Sequence, residues 1–207
     1  MLESSERIEL VQYARDSITS GFRRVSPSTP PERVWALELL EPRATFTTLR
    51  LAGELRGCCG TIEPQRPLAH DVWHNAWVSA NADPRFWPVS REEADALEIS
   101  ISVLTPLEPI AVSCESELVE SLEPGVDGLL LRCGSARAVF LPAVWESLPD
   151  AGDFITQLKA KAGWSPAFWS PDMTAFRFRT ETFTSDRGPG QPRPSPGARS
   201  ELHRPPS

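Results

Sequence analysis

Basic residues are scarce in this chain: 21 Lys and Arg stand against 28 Asp and Glu, for a formal net charge of −7. A large non-specific nucleic-acid surface needs the opposite balance, so nucleic acid is not expected as a partner. Only four cysteines occur in 207 residues, too few for a disulfide-dense mini-protein. None belongs to a Cys-X-X-Cys pair, which leaves an iron–sulfur cluster in this chain without support. The glycine-rich dinucleotide fingerprint and the P-loop are both missing, so no nucleotide cofactor is expected. No apolar run reaches the roughly 18 residues that span a membrane. The N-terminus is acidic and lacks the basic-then-apolar order of a signal peptide. These absences predict a cytoplasmic protein with no membrane contact.

Tyrosine occurs once, but seven Trp and nine Phe supply large apolar side chains for a core. Residues 5–22 read as a helix, with Ile8, Val11, Ala14, Ile18 and Phe22 on one stripe. After a proline-rich break, residues 44–51 and 54–62 read as a hairpin turning at Ala52-Gly53. Residues 68–81 read as a helix with Leu68, Val72, Trp73, Ala76 and Ala80 on one side. His70, Asp71, His74 and Asn81 fall on the other. Ser90 and Glu93 have capping-box spacing and lead into a half-buried strand, where Leu97, Ile99, Ile101 and Val103 alternate with polar residues. A short strand over 110–114, a hairpin over 129–141, a helix over 153–162 and a strand over 173–183 follow. Cys114 and Cys133 fall in strands and read as buried thiols. This order has no regular βαβ alternation. It predicts an α+β fold with a mainly antiparallel β-sheet flanked by helices. From Ser185 the chain carries six Pro and three Gly in 23 residues, so 1–184 reads as the folded domain and 185–207 as a disordered tail.

The densest chemical signal is Leu55-Arg56-Gly57-Cys58-Cys59-Gly60. In an extended strand Arg56 and Cys58 share one face and Cys59 takes the other. An arginine two residues from a thiol can stabilise its thiolate. Gly57 and Gly60 can let a ligand or backbone approach closely. Cys58 is thus a candidate nucleophile and Arg56 a candidate anion contact. The alternative is a packed Cys58 and an Arg56 paired to a carboxylate. Cys59 reads as a core residue. His70 and His74 stand four apart on a helix, a spacing that can bind zinc, but no further ligand has a matching spacing, so no metal site is expected.

The motif resembles the Leu-Arg-Gly-Cys-Ile-Gly signature of the AMMECR family, whose bacterial and archaeal members are called AmmeMemoRadiSam system protein A. Arg66-Pro67-Leu68, His74-Asn75-Ala76 and Asp83-Pro84-Arg85-Phe86 follow in the family's order. So do residues 101–110, 125–129, 140–145 and 158–163, and the resemblance covers about residues 5–184. Cys59 stands where the family has Ile, and Trp87 where it has Pro. The resemblance implies a larger sheet and a smaller second α+β lobe, with the motif near a cleft between them. It also implies a MEMO-type protein and a radical SAM protein as partners, and it supplies no reaction. The expected site is a place for a small anionic ligand or a partner, built on Arg56, Gly57, Cys58 and Gly60, with His74 and Arg85 as further contacts. Two competing readings are a cysteine-dependent enzyme using Cys58 with His70 or His74 as base, and an interaction scaffold in which the motif is structural.

Overall fold

A computed structural model describes residues 1–22, 26, 27 and 29–185. Helix α1 (Ser4–Ser20) starts at a capping box between Glu3 and Glu6. It buries Leu10, Tyr13, Ala14, Ser17 and Ile18. Ile8, expected on the buried stripe, is exposed. Leu10 and Tyr13 bring more apolar surface inside, and they rotate the helix about a quarter turn from the stripe drawn through Ile8. Short helix α2 (Leu37–Leu40) inserts Leu39 into the same core. Tyr13 packs edge-on to Trp35 at 4.7 Å and tilted against Trp73 at 4.6 Å, between ring centroids.

Strands β1 (Thr45–Leu51) and β2 (Glu54–Gly60) form the expected hairpin. Ala52 and Gly53 both take positive φ, 52° and 90°, the turn whose twist matches paired strands. Helix α3 (Leu68–Asn81) packs on both strands, and α1 packs on α3. Helix α3 is therefore buried on two sides rather than one. Asp71, on the side opposite the apolar stripe, is accordingly fully buried. Short helix α4 (Arg91–Ala94) begins at the expected Ser90–Glu93 capping box. It leads into β3 (Glu98–Leu104), which pairs antiparallel with β1.

Strand β4 (Glu108–Ile110), α5 (Glu115–Ser121), β5 (Gly128–Cys133), β6 (Ala136–Phe140), a 3-10 turn over Pro142–Glu146, α6 (Ala151–Lys161) and β7 (Thr174–Phe178) come next. Strand β8 (Thr180–Thr184) ends the described elements. The strands make two four-stranded sheets, ordered β2-β1-β3-β8 and β4-β7-β5-β6. The chain divides accordingly into two compact units. Met1–Val103 and the chain from Glu181 make the first, and Leu104–Thr180 the second. Each has its own apolar core. In the second, the rings of Trp145 and Phe154 stack at 3.8 Å. The architecture is α+β, as expected.

Three local expectations are corrected. The strand drawn over 110–114 ends at Ile110, and Cys114 is instead the N-cap residue of α5. Cys114 and Cys133 are half-buried rather than buried. The strand drawn over 173–183 is two strands meeting at Arg179, one in each sheet. Alternation of Phe and Arg reads the same on either side of such a switch. Ser185 is held to Ile99 through its backbone N–H (2.8 Å) and its hydroxyl, which accepts from the Ile99 N–H (3.1 Å). Ser185 is the first residue of the expected disordered tail, and the rest of that tail lies outside the described residues. No helix among the described residues is long and apolar enough to cross a membrane.

Candidate functional site

The motif occupies β2, an edge strand of the first sheet. Leu49 of β1 faces Gly57, but Arg50 faces Leu55, so Arg56 is the extra residue of a β-bulge. A bulge breaks the alternation on which the pairing of Arg56 with Cys58 rested. Arg56 is only 8% exposed. Its Nε and Nη2 donate to the two carboxylate oxygens of Glu93 at 2.8 and 3.0 Å. Its Nη1 and Nη2 also donate to the carbonyls of Trp87 (2.8 Å) and Pro88 (3.3 Å). The guanidinium thus clamps the loop before α4 and is no free anion contact. Its hydrogen bonds hold the Glu93 carboxyl below the usual range, against the opposing effect of burial.

The two glycines are also engaged by protein. A Cβ on Gly57 would lie 2.1 Å from the Ser79 carbonyl oxygen of α3. A Cβ on Gly60 would lie 2.3 Å from the Phe46 ring and 2.4 Å from the Thr45 carbonyl oxygen. The clearance expected for a ligand is the clearance that lets the hairpin close on α3 and on itself.

The cysteines divide as the register dictates. Cys59 faces Thr47 and Cys58 faces Thr48 across the hairpin, on opposite sides of the sheet. The Cys59 N–H donates to Ser79 Oγ at 2.9 Å. Burial, reinforced by the Asp83 carboxylate, pushes its thiol up to about 11. It stays protonated at neutral pH. The Cys58 thiol accepts from the Thr48 hydroxyl at 3.4 Å. Its backbone is tied on both sides: the N–H donates to Asp83 Oδ2 (2.9 Å), and the carbonyl accepts from Arg85 Nη2 (3.1 Å). Arg85 also donates to Asp83 from Nε (2.9 Å) and Nη2 (2.6 Å). Burial alone would raise the Asp83 carboxyl. The hydrogen bonds from Arg85 and from the Cys58 N–H outweigh it and hold the group low. Arg85 keeps 53% of its side chain exposed, and its Nη1 has no hydrogen-bond partner among the described residues. Of the expected anion contacts, Arg85 is the one left facing outward beside Cys58.

His74 is not brought to the motif. With His70, Arg66 and Trp73 it lines a separate cavity of about 400 Å³, and no hydrogen bond or ion pair joins either histidine to Cys58. The Cys58–His base pairing thus finds no geometry among the described residues. Two residues that sequence reasoning passed over organise this unit. Asp71 accepts from the Thr45 N–H (3.0 Å), the hydroxyls of Thr45 and Thr61 (2.7 Å each), Asn75 Nδ2 (2.8 Å) and Arg66 Nη1 (3.1 Å). Asp83 ties β2 to the loop after α3. In the sequence Asp83 is legible only as part of Asp83-Pro84-Arg85-Phe86, and Asp71 only as a helix position. Among the described residues no group of three or more His, Cys, Asp or Glu is placed to hold a metal ion.

Known proteins resemble this chain along most of its length. A protein of Methanothermobacter thermautotrophicus is 39% identical over 191 residues, covering 89% of this chain and 97% of its own. A protein of Methanocaldococcus jannaschii is 36% identical, covering 88% of this chain and 92% of its own. The crystal structure of the uncharacterized protein PH0010 from Pyrococcus horikoshii superposes with a TM-score of 0.82 at 31% identity. That match covers 92% of this chain and 96% of that one. The AMMECR1 family model matches residues 11–183, from the middle of α1 to β8. The chain belongs to the AMMECR1 family.

Proposed function

We propose that this chain is a binding component rather than a self-contained cysteine enzyme, and that it presents Arg85 and Cys58 beside β2 to an anionic group. The observation that carries this reading is the state of Arg85. Its guanidinium is fixed by Asp83 and the Cys58 carbonyl, yet half-exposed, with the two N–H groups of Nη1 unpaired among the described residues. A planar donor held in place loses little freedom on meeting a carboxylate or phosphate. Cys58 and Thr48 pair a thiol with a hydroxyl next to the carbonyl that Arg85 holds. The AMMECR resemblance names a MEMO-type protein and a radical SAM protein as the partners with which it acts. Four free cysteines, all half-buried, suit a reducing cytoplasm.

Co-purification with the MEMO-type and radical SAM proteins of the same genome tests the reading, alongside cysteine alkylation on the folded chain. Arg85→Ala weakens capture about tenfold or more, the loss of a charge-assisted contact. Cys58→Ser leaves capture within about twofold, since a hydroxyl replaces the thiol as a weak donor. Cys59, with its thiol pushed up to about 11, alkylates far more slowly at pH 8 than a thiol of ordinary pKa near 8.5. Unchanged capture by Arg85→Ala sinks the proposal. Rapid alkylation of Cys58 with a midpoint well below 8.5, together with turnover lost in Cys58→Ser, replaces it with the enzyme reading.

A further inference from the structure

The cavity at the start of α3 has a chemistry the motif lacks. Its lining among the described residues is Arg66, His70, His74 and Trp73, closed by Pro27, Thr29 and Pro30. Three of these side chains are basic, and none is acidic. The carboxylate that acts on His74, Asp71, is fully buried and already accepts five hydrogen bonds, one of them from Arg66. It holds Arg66 in place but has little capacity left to balance further charge. Helix α3 starts without a side-chain cap, and Asp71 is the acidic residue of its first turn. Trp73, packed against Tyr13 at 4.6 Å and almost fully buried, is the aromatic member of the lining. Burial and then the Arg66 charge push the His74 imidazole down, against the weaker pull of Asp71. An incoming anion would reverse the Arg66 effect.

We propose that this cavity binds a small organic anion, a carboxylate or phosphate carried on a flat or apolar body. The acid group meets the Arg66 fork and the imidazoles of His70 and His74. The body lies along Trp73, Pro27 and Pro30. None of the motif residues lines this cavity, so the site is distinct from the one around Arg85 and does not depend on it. Because His74 must take up a proton to pair with the anion, affinity for a carboxylate, whose own charge is constant in this range, rises as the pH falls from 8 to 6. Burial, Arg66 and Asp71 set this titration, and His70 is the other titratable group of the lining.

Imidazole NMR on the full chain tests the proposal directly. The chain has three histidines, His70, His74 and His203, and His70→Gln and His74→Gln assign the signals. The probes are phenyl phosphate, benzoate, inorganic phosphate and neutral benzamide. Saturable shifts of His70 and His74 are expected with phenyl phosphate or benzoate, and none with benzamide. At saturation the His74 pKa rises by about one unit, the mark of a new charge partner. Arg66→Gln and His74→Gln each weaken binding, the first by about tenfold. Absence of saturable shifts with both organic anions overturns the proposal. So does benzamide binding as well as benzoate, or inorganic phosphate binding as tightly as phenyl phosphate. Parent-like affinity in both variants overturns it as well, and each variant's melting curve shows whether it remains folded.

Discussion

A basic cluster stands at each end of helix α3, and the two differ in what their basic groups face. Beyond the C-terminal end, Arg56 and Arg85 meet Glu93 and Asp83, each through two hydrogen bonds or more. The carbonyls of Trp87, Pro88 and Cys58 take further donors. Before the N-terminal end, Arg66 reaches the single oxygen of Asp71 that its other partners leave over, and the two histidines beside it line an open cavity. The first cluster is conspicuous in the sequence and largely consumed by the fold. The second is inconspicuous in the sequence and leaves its basic groups facing a space. A dense local motif marks where the fold is demanding. Unsatisfied chemistry marks where a ligand can be received.

The comparison breaks most readily at Asp71, the buried hub that fixes Arg66. Asp71→Ala strips five donors of their acceptor and is expected to cost about 3–5 kcal/mol, the range for removing one partner of a buried ionic network. A denaturant midpoint that barely moves would remove Asp71 as the reason Arg66 is held. Gly57→Ala comes next. Its Cβ would meet backbone, which cannot swing away as a side chain can, so a loss of about 3 kcal/mol is expected in the same measurement. Arg56→Ala takes the donor from two carbonyls and leaves Glu93 the Ser90 N–H. It is expected to lower stability by about 2 kcal/mol, since Glu93 is partly exposed. Arg56→Lys recovers little of it, because a lysine cannot fork across both oxygens.

Acid sharpens the same comparison. Asp83 and Glu93 have lowered pKa values in the folded chain. The unfolded state therefore takes up protons first as pH falls. Their stabilisation is complete above the ordinary carboxylate values near 4 and is lost as pH drops through the lowered folded values. Melting temperature should fall from about pH 5 downward, and Asp83→Asn with Glu93→Gln should flatten that fall. The smallest effect is expected at Trp87. Its side chain is 57% exposed and only its carbonyl serves Arg56, so Trp87→Ala should change stability by about 0.5 kcal/mol or less. A larger loss would mean that the Trp87 ring carries packing of its own.

Local chemistry made several of these elements legible. The Ala52-Gly53 turn, the Ser90–Glu93 capping box and the alternation from Leu97 to Val103 are decided by neighbours a few residues away, and all stand where expected. The α+β class followed from their order, and the family from several motifs kept in sequence. Misreadings cluster where a long-range contact overrides a local pattern. Ile8 lost its place in the core to Leu10 and Tyr13. Asp71 is buried because α3 is covered by both a sheet and a helix, which periodicity on one helix cannot reveal. The strand pattern ending at Phe183 hides a change of sheet at Arg179.

At the candidate site the same division holds residue by residue. Sequence alone placed Arg56, Cys58 and Cys59 on one strand and set Arg85 in the loop after α3. It could not show that a bulge turns Arg56 toward Glu93, 37 residues along the chain. A bulge adds one residue, and one residue reverses every face assignment beyond it. Nor could it show that the space left by Gly57 and Gly60 is filled by Ser79, Phe46 and Thr45. The sequence determined which groups exist and which elements carry them. The tertiary structure decided which of those groups are left with an open valence for hydrogen bonding, because donors and acceptors from distant segments compete for the same partners before any ligand arrives.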